Sequence, residues 1–156
     1  MSGRTRFLNN RLLRGVLVIW LCLISVVELQ AAELKIEARL IWGTNYEKID
    51  DPKCKPLDKK LAEKLKKVFT WKKYFEVHRA IATIPSRGKK KLKLSPQCTI
   101  DVKELEGPKV EVTLIGEGKP VNKTTYPLSK GESFTIAGDC KDGSAWFILI
   151  TELDEK

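Results

Sequence analysis

The chain has 156 residues, with a single histidine, four cysteines and 20 acidic residues from which a reactive site could be built. His78 lies in Glu76-Val77-His78-Arg79, where its neighbours alternate like those of a strand. A histidine base needs a nucleophile and an orienting group beside it, and no G-x-S-x-G motif occurs. A thiol partner for His78 would have to come from Cys54, Cys98 or Cys140, and one sequence leaves such a pair open. His78 reads as a solvated or core-edge side chain. The carboxylates offer little more. Asp50-Asp51 precedes Pro52 as a lone pair, whereas a calcium loop supplies several oxygens from one run. Asp139 and Asp142 are separated by Cys140 and by Lys141, whose charge repels a metal ion, and Asp142-Gly143 is a tight-turn signal. A glycosidase sets two carboxylates across a cleft, and nothing in the sequence singles out such a pair. Gly116-x-Gly118 is followed by Pro120 rather than a helix, so it makes no phosphate cradle. Asn122-Lys123-Thr124 fits the N-glycosylation pattern and reads as a chance occurrence. The chain is read as not an enzyme, with no catalytic residue, no metal site and no cofactor.

The cysteines bear on compartment. Cys22 sits in the middle of an apolar run behind Leu21, where a lipidation site would want a small residue, and reads as part of a leader. Cys54, Cys98 and Cys140 remain, spaced by 44 and 42 residues, which matches no C-x-x-C redox or zinc pattern. Cys98–Cys140 is the slightly favoured bridge in an oxidising compartment, and no bridge at all is an equal alternative.

Charge gives the clearest surface feature. Arg87, Lys89, Lys90, Lys91 and Lys93 cluster in and after one turn. Lys59, Lys60, Lys64, Lys66, Lys67, Lys72 and Lys73 mark a helix and its exit. Arg87, Lys89, Lys90, Lys91, Lys93, Lys66, Lys67, Lys72 and Lys73 are the candidate contacts for an anionic polymer or lipid surface. The simpler account is that these lysines solvate the helix and blunt an edge strand against aggregation. Trp42, Trp71 and Trp146 could form a sugar platform, but at strand positions with apolar partners they read as core.

The first 32 residues read as an address. Arg4, Arg6, Arg11 and Arg14 precede the apolar run Val16–Val27, whose twelve residues would span about 18 Å as a helix. That is short of the roughly 30 Å hydrocarbon core and suits a secretory signal ending near Ala31-Ala32. The alternative is a retained membrane anchor at residues 15–29 with the body outside the cytoplasm. Four arginines and one glutamate fall in 1–32, leaving 25 basic and 19 acidic residues in 33–156. The expected setting is periplasmic or secreted, with an envelope or secreted protein as partner. An exported chain rarely meets nucleic acid, so that ligand is disfavoured.

Residues 33–156 read as one β-rich domain. Leu34–Trp42 alternates at period two, as a half-buried strand does, and Gly43-Thr44-Asn45 should turn it. Residues 46–57 read as irregular. Asp58 is a good N-cap for a helix over Lys59–Phe69, with Leu61, Leu65 and Val68 on its apolar stripe. Strands follow at Tyr74–Ile84, Lys89–Leu94, Cys98–Leu105, Lys109–Ile115, Val121–Leu128, Glu132–Ala137 and Ser144–Leu153. Pro127 places Val121–Leu128 at a sheet edge. The two-sided apolar run Ala145–Ile150 places the last strand inside a sheet. About eight short strands and one short helix define a mainly β fold, an antiparallel β-sandwich or partly open barrel.

The runs Ala38-Arg39-Leu40-Ile41-Trp42-Gly43-Thr44-Asn45, Trp71-Lys72-Lys73-Tyr74-Phe75-Glu76-Val77, Ala137-Gly138-Asp139 and Ala145-Trp146-Phe147 resemble a group of small exported bacterial β-domain proteins. The resemblance spans most of 33–156. It implies a bacterial envelope setting and a single domain, and it carries no site residues over. The expected function is a contact with another envelope or secreted protein, made by adding a partner strand at Val121–Leu128 or Lys89–Leu94. Binding of anionic envelope polymer or lipid headgroups is the alternative.

Overall fold

Alternating apolar residues leave each segment one face to bury, and two sheets meet to bury those faces. The computed structural model describes residues 33–47 and 54–154. Its elements are β1 (Leu34–Thr44), β2 (Lys55–Pro56), α1 (Lys59–Lys66), β3 (Lys73–Ile84), β4 (Lys89–Lys93), β5 (Cys98–Leu105), β6 (Lys109–Gly116), β7 (Lys119–Pro127), β8 (Ser133–Asp139) and β9 (Ala145–Glu152). One antiparallel sheet has the order β2-β3-β1-β9-β8, the other β4-β5-β6-β7. They form a β-sandwich with no closed barrel. The chain passes to the second sheet through Pro85–Gly88 and returns through Leu128–Glu132.

The main core lies between the sheets. Ile36, Ala38, Ile84, Ile148 and Ile150 from the five-stranded sheet face Ile100, Val102, Val110 and Val112 from the four-stranded one. Each fully buried aliphatic side chain contributes about 1.5–3 kcal/mol. A second core forms on the outer face of the five-stranded sheet. There α1 and the segment after it lay Leu61, Leu65, Phe69 and Trp71 over Ile41, Tyr74, Ala145, Phe147 and Leu149. Eight residues are too few for a stable isolated helix, so α1 depends on this contact. Asp58 caps it by accepting the Leu61 N–H at 2.9 Å, and Lys64 and Lys66 suit its C-terminal dipole.

The structure departs from the sequence reading in several places. β1 is covered on both faces rather than half-buried, because the helix layer packs over Ile41 and the four-stranded sheet covers Ile36, Ala38 and Leu40. Gly43 and Thr44 extend the strand instead of turning it. The helix stops at Lys66, and Val68, expected on its apolar stripe, lies beyond the C-cap with 74% of its surface exposed. Lys55–Pro56, in a region expected to be irregular, pairs with Glu76 and Phe75 of β3. β9 lies between β1 and β8, inside the sheet, as its two-sided apolar run indicates. The expected leader, the candidate anchor at 15–29 and Asp50-Asp51 lie outside the described residues. Among the described residues no helix is long and apolar enough to cross a membrane.

Candidate functional site

The basic side chains divide between the two outer faces. On the four-stranded sheet, the register sets Lys89 beside Lys103 and Glu111, Lys91 beside Asp101, Thr113 and Lys123, and Lys93 beside Thr99. A shallow depression of about 490 Å³ is lined by Arg87, Lys89, Asp101, Lys103, Glu111 and Lys123. Lys123 pairs with Glu111 at 3.0 Å, and Arg87 reaches Glu106 at 3.3 Å. The Arg87 N–H also donates to the Glu104 carboxylate, which holds the turn against β5. Lys90 shares the inward face with the buried Val102 yet is itself exposed. Lys66 ends α1, Lys67 caps it, and Lys72 and Lys73 lead into β3 of the other sheet. There the Lys73 ammonium donates to the Glu47 carbonyl at 2.7 Å, and the Lys72 N–H donates to Asn45 Oδ1 at 3.0 Å. The nine candidate anion contacts therefore do not form one patch; Arg87, Lys89, Lys91 and Lys93 share one region and the helix-side lysines another.

Between the ends of the two sheets lies an apolar cleft of about 390 Å³, lined by Leu40, Cys98, Leu114, Val121 and Trp146. Trp42 is opposite Trp146 on β9 and Phe75 on β3, with the Trp42 and Phe75 ring centroids 6.4 Å apart. Trp71 packs on the other side of the sheet and donates its indole N–H to the Gly143 carbonyl at 3.0 Å. The three tryptophans are half-buried rather than fully buried, and they do not share one face.

Cys98 opens β5, while Cys140 lies in the turn between β8 and β9. Both are free cysteines in this structure. Burial pushes the Cys98 thiol up from its ordinary range, so less of it is thiolate at neutral pH. Alkylation of Cys98 by iodoacetamide in the folded protein is expected to run slower than that of free cysteine at neutral pH and to keep rising through the alkaline range. Peptide mass spectrometry against pH measures this, and labelling at the free-cysteine rate would contradict it. His78 is exposed on β3. Among the described residues no three His, Cys, Asp or Glu side chains gather in a metal-binding group.

Two features were not anticipated from the sequence. The first is a charged network on the outer face of the five-stranded sheet. Arg39 contacts Glu37, Asp58 at 3.4 Å and Glu76 at 3.7 Å, while Arg79 contacts Glu76 at 3.0 Å and Glu37 at 3.5 Å. Outward charges at the Glu37 and Arg39 spacing were the available signal.

The second feature is the state of the strand edges. β4 carries Lys89, Lys90, Lys91 and Lys93, and β7 carries Lys119, Lys123, Pro120 and Pro127. β2 is two residues long and contains Pro56. Beyond Glu76, β3 carries a bulge in its pairing with β1 and the polar His78 and Arg79, while residues 80–84 have neither charge nor proline. Charges, prolines, bulges and short strands are the devices by which proteins protect an edge from pairing. β8 reads Ser133-Phe134-Thr135-Ile136-Ala137-Gly138-Asp139 and has no charge, proline or bulge from Ser133 to Gly138.

The fold and its edges define an antiparallel β-sandwich with a helix laid on one outer face. No protein-family model, curated protein or solved structure matches the chain.

Proposed function

We propose that the protein is exported and works without catalysis, by contact with another polypeptide whose strand adds to an open edge of its five-stranded sheet. The observation that carries this reading is the β8 edge, outermost in its sheet and free of charge, proline and bulge from Ser133 to Gly138. An unpaired strand offers a row of N–H and C=O groups, and an added strand satisfies them. The two edges expected to receive a strand, Val121–Leu128 and Lys89–Leu94, are the ones guarded by proline and lysine. The apolar leader and the resemblance to exported β-domain proteins support the setting.

A photo-reactive residue placed in turn at positions 137, 121 and 91 tests the reading in intact cells. Crosslinked polypeptide is expected from position 137 on β8 and not from 121 on β7 or 91 on β4. Crosslinks from 121 or 91 but none from 137 would overturn the assignment to β8.

A second reading is favoured by Lys89, Lys91, Lys93, Lys103 and Lys123 on the outer face of the four-stranded sheet, opposed there by Asp101 and Glu111. Such a face would hold a phosphate-rich lipid or acidic polymer, with binding that falls as salt screens it. K89E/K91E should abolish co-sedimentation with vesicles containing anionic phospholipid and leave neutral vesicles unaffected. Equal co-sedimentation of the variant and the parent protein would exclude the face.

A further inference from the structure

We infer that the strand added to the β8 edge is the β8 strand of a second copy of this chain, in an antiparallel pair about a twofold axis at Ile136. The inference rests on the reading of β8 as the contact edge and names the occupant.

The sequence of β8 is complementary to itself in the register that keeps all seven residues paired. Ile136 faces Ile136 of the other copy, Thr135 faces Ala137, Phe134 faces Gly138 and Ser133 faces Asp139. No like charges stand opposite one another, and like charges are what destabilise directly opposed pairs.

The inner face fits as well. A Cβ on Gly138 would lie 2.2 Å from the Trp146 ring, so the indole occupies the space over Gly138. Phe134, opposite Gly138 across the axis, would meet that indole rather than open water. Within each copy Phe134 already stacks on Tyr126 with centroids 4.1 Å apart and planes 8° from parallel. The ring is therefore held before any partner arrives. On the outer face, Thr135 is half-buried and Ala137 exposed, both small enough to admit a neighbouring strand.

A twofold axis normal to the sheet keeps like faces on the same side. The two five-stranded sheets would join into one of ten strands, and the two lysine-bearing outer faces would lie side by side. A pair of copies would then meet an anionic surface twice over, which raises apparent affinity without any new contact.

The test uses the full chain in mild detergent, with mass from light scattering after size exclusion. The parent protein is expected to be a dimer. T135K/A137K sets ammonium against ammonium at both outer-face pairs, and should weaken dimerisation by about tenfold or more. T135E/A137K sets opposite charges at the same two pairs and should restore the dimer. I81K, on the open side of β3, should leave it intact. A monomeric parent protein overturns the inference. So does a dimer that T135K/A137K leaves unchanged or that I81K breaks. Amide exchange on the parent protein needs no variant to fold: protection of β8 should rise with protein concentration, and protection independent of concentration counts against self-pairing. If the parent is monomeric but position 137 still crosslinks a different polypeptide, self-pairing falls while the edge reading stands.

Discussion

Replacing Phe147 with alanine is expected to lower the free energy of unfolding by about 3–5 kcal/mol, the usual range for emptying a buried aromatic site. Phe147 is fully buried at the centre of the second core. Its ring lies 4.6 Å from Phe69, 5.5 Å from Trp71 and 5.8 Å from Tyr74, centroid to centroid. The loss removes the aromatic contacts as well as the buried area, since tilted and edge-on ring pairs contribute about 0.5–1.5 kcal/mol beyond area. Collapse cannot close the gap easily. The floor is strand backbone, including Gly43, where even an added Cβ would lie 2.8 Å from the Phe147 ring. The helix above is too short to hold its shape without the contact. The damage should therefore appear first in α1 and the Phe69–Trp71 segment, as lost amide protection there before the global transition. Denaturant titration followed by tryptophan fluorescence measures the total, and V68A at an exposed site gives the comparison, expected within about 0.5 kcal/mol of the parent protein. A change in F147A no larger than that in V68A would mean that the helix layer contributes nothing to stability.

Much of this architecture was legible in the residues. The run Ala145–Ile150 is apolar at odd and even positions alike, which only a strand covered on both faces can use. Asp58 followed by Leu61 and Leu65 fixed the start of the helix, because a carboxylate at the N-cap and apolar residues four apart act locally. Its end was harder. Val68 continues the spacing, but it follows the C-cap, and Lys66-Lys67 suits a last helical turn and a loop equally. β1 was misread for a different reason. Glu37 and Arg39 alternate with apolar residues as they would on a solvent-facing side, and only the tertiary arrangement shows that these charges answer others on β3. The pairing of Lys55–Pro56 leaves no pattern at all in two residues.

The candidate sites divide in the same way. Lysine clusters are visible in any sequence, but whether they share a surface depends on which sheet each strand joins. Here the turn at Pro85–Gly88 carries Lys89–Lys93 to the opposite side of the sandwich from Lys66–Lys73. Edge status can be read where a residue declares it, as Pro127 does for β7. β8 declares nothing. A neutral, proline-free strand is unremarkable in sequence and becomes informative only when the sheet order leaves it outermost. The disulfide expectation depended on the distance between the start of β5 and the turn after β8, which sequence spacing does not supply.

Replacing Arg39 with methionine is expected to cost about 2–3 kcal/mol. Removing one partner from a buried ion pair costs about 3–5 kcal/mol, and an exposed pair is worth about 0–1. The Arg39 side chain is 19% exposed, with Glu37 at 10% and Glu76 at 20%, so solvent screens the network only in part. Methionine keeps much of the aliphatic length and removes the charge. Glu37 and Glu76 would then face one another with Arg79 alone between them, and that guanidinium is 45% exposed. Arg79 contacts both carboxylates, Glu76 at 3.0 Å and Glu37 at 3.5 Å, but its exposure to solvent weakens the compensation it gives them. Asp58 would lose its tie to the sheet while still capping α1, so the start of the helix should loosen even though its cap hydrogen bond survives. A double-mutant cycle separates lost packing from stranded charge. If the cost comes from uncompensated carboxylate, R39M/E37L should recover most of the stability lost in R39M, because an apolar pair in that space is often close to neutral. If R39M/E37L is as unstable as the sum of its parts, the two residues are not coupled and the outer face of this sheet is held by its apolar half alone.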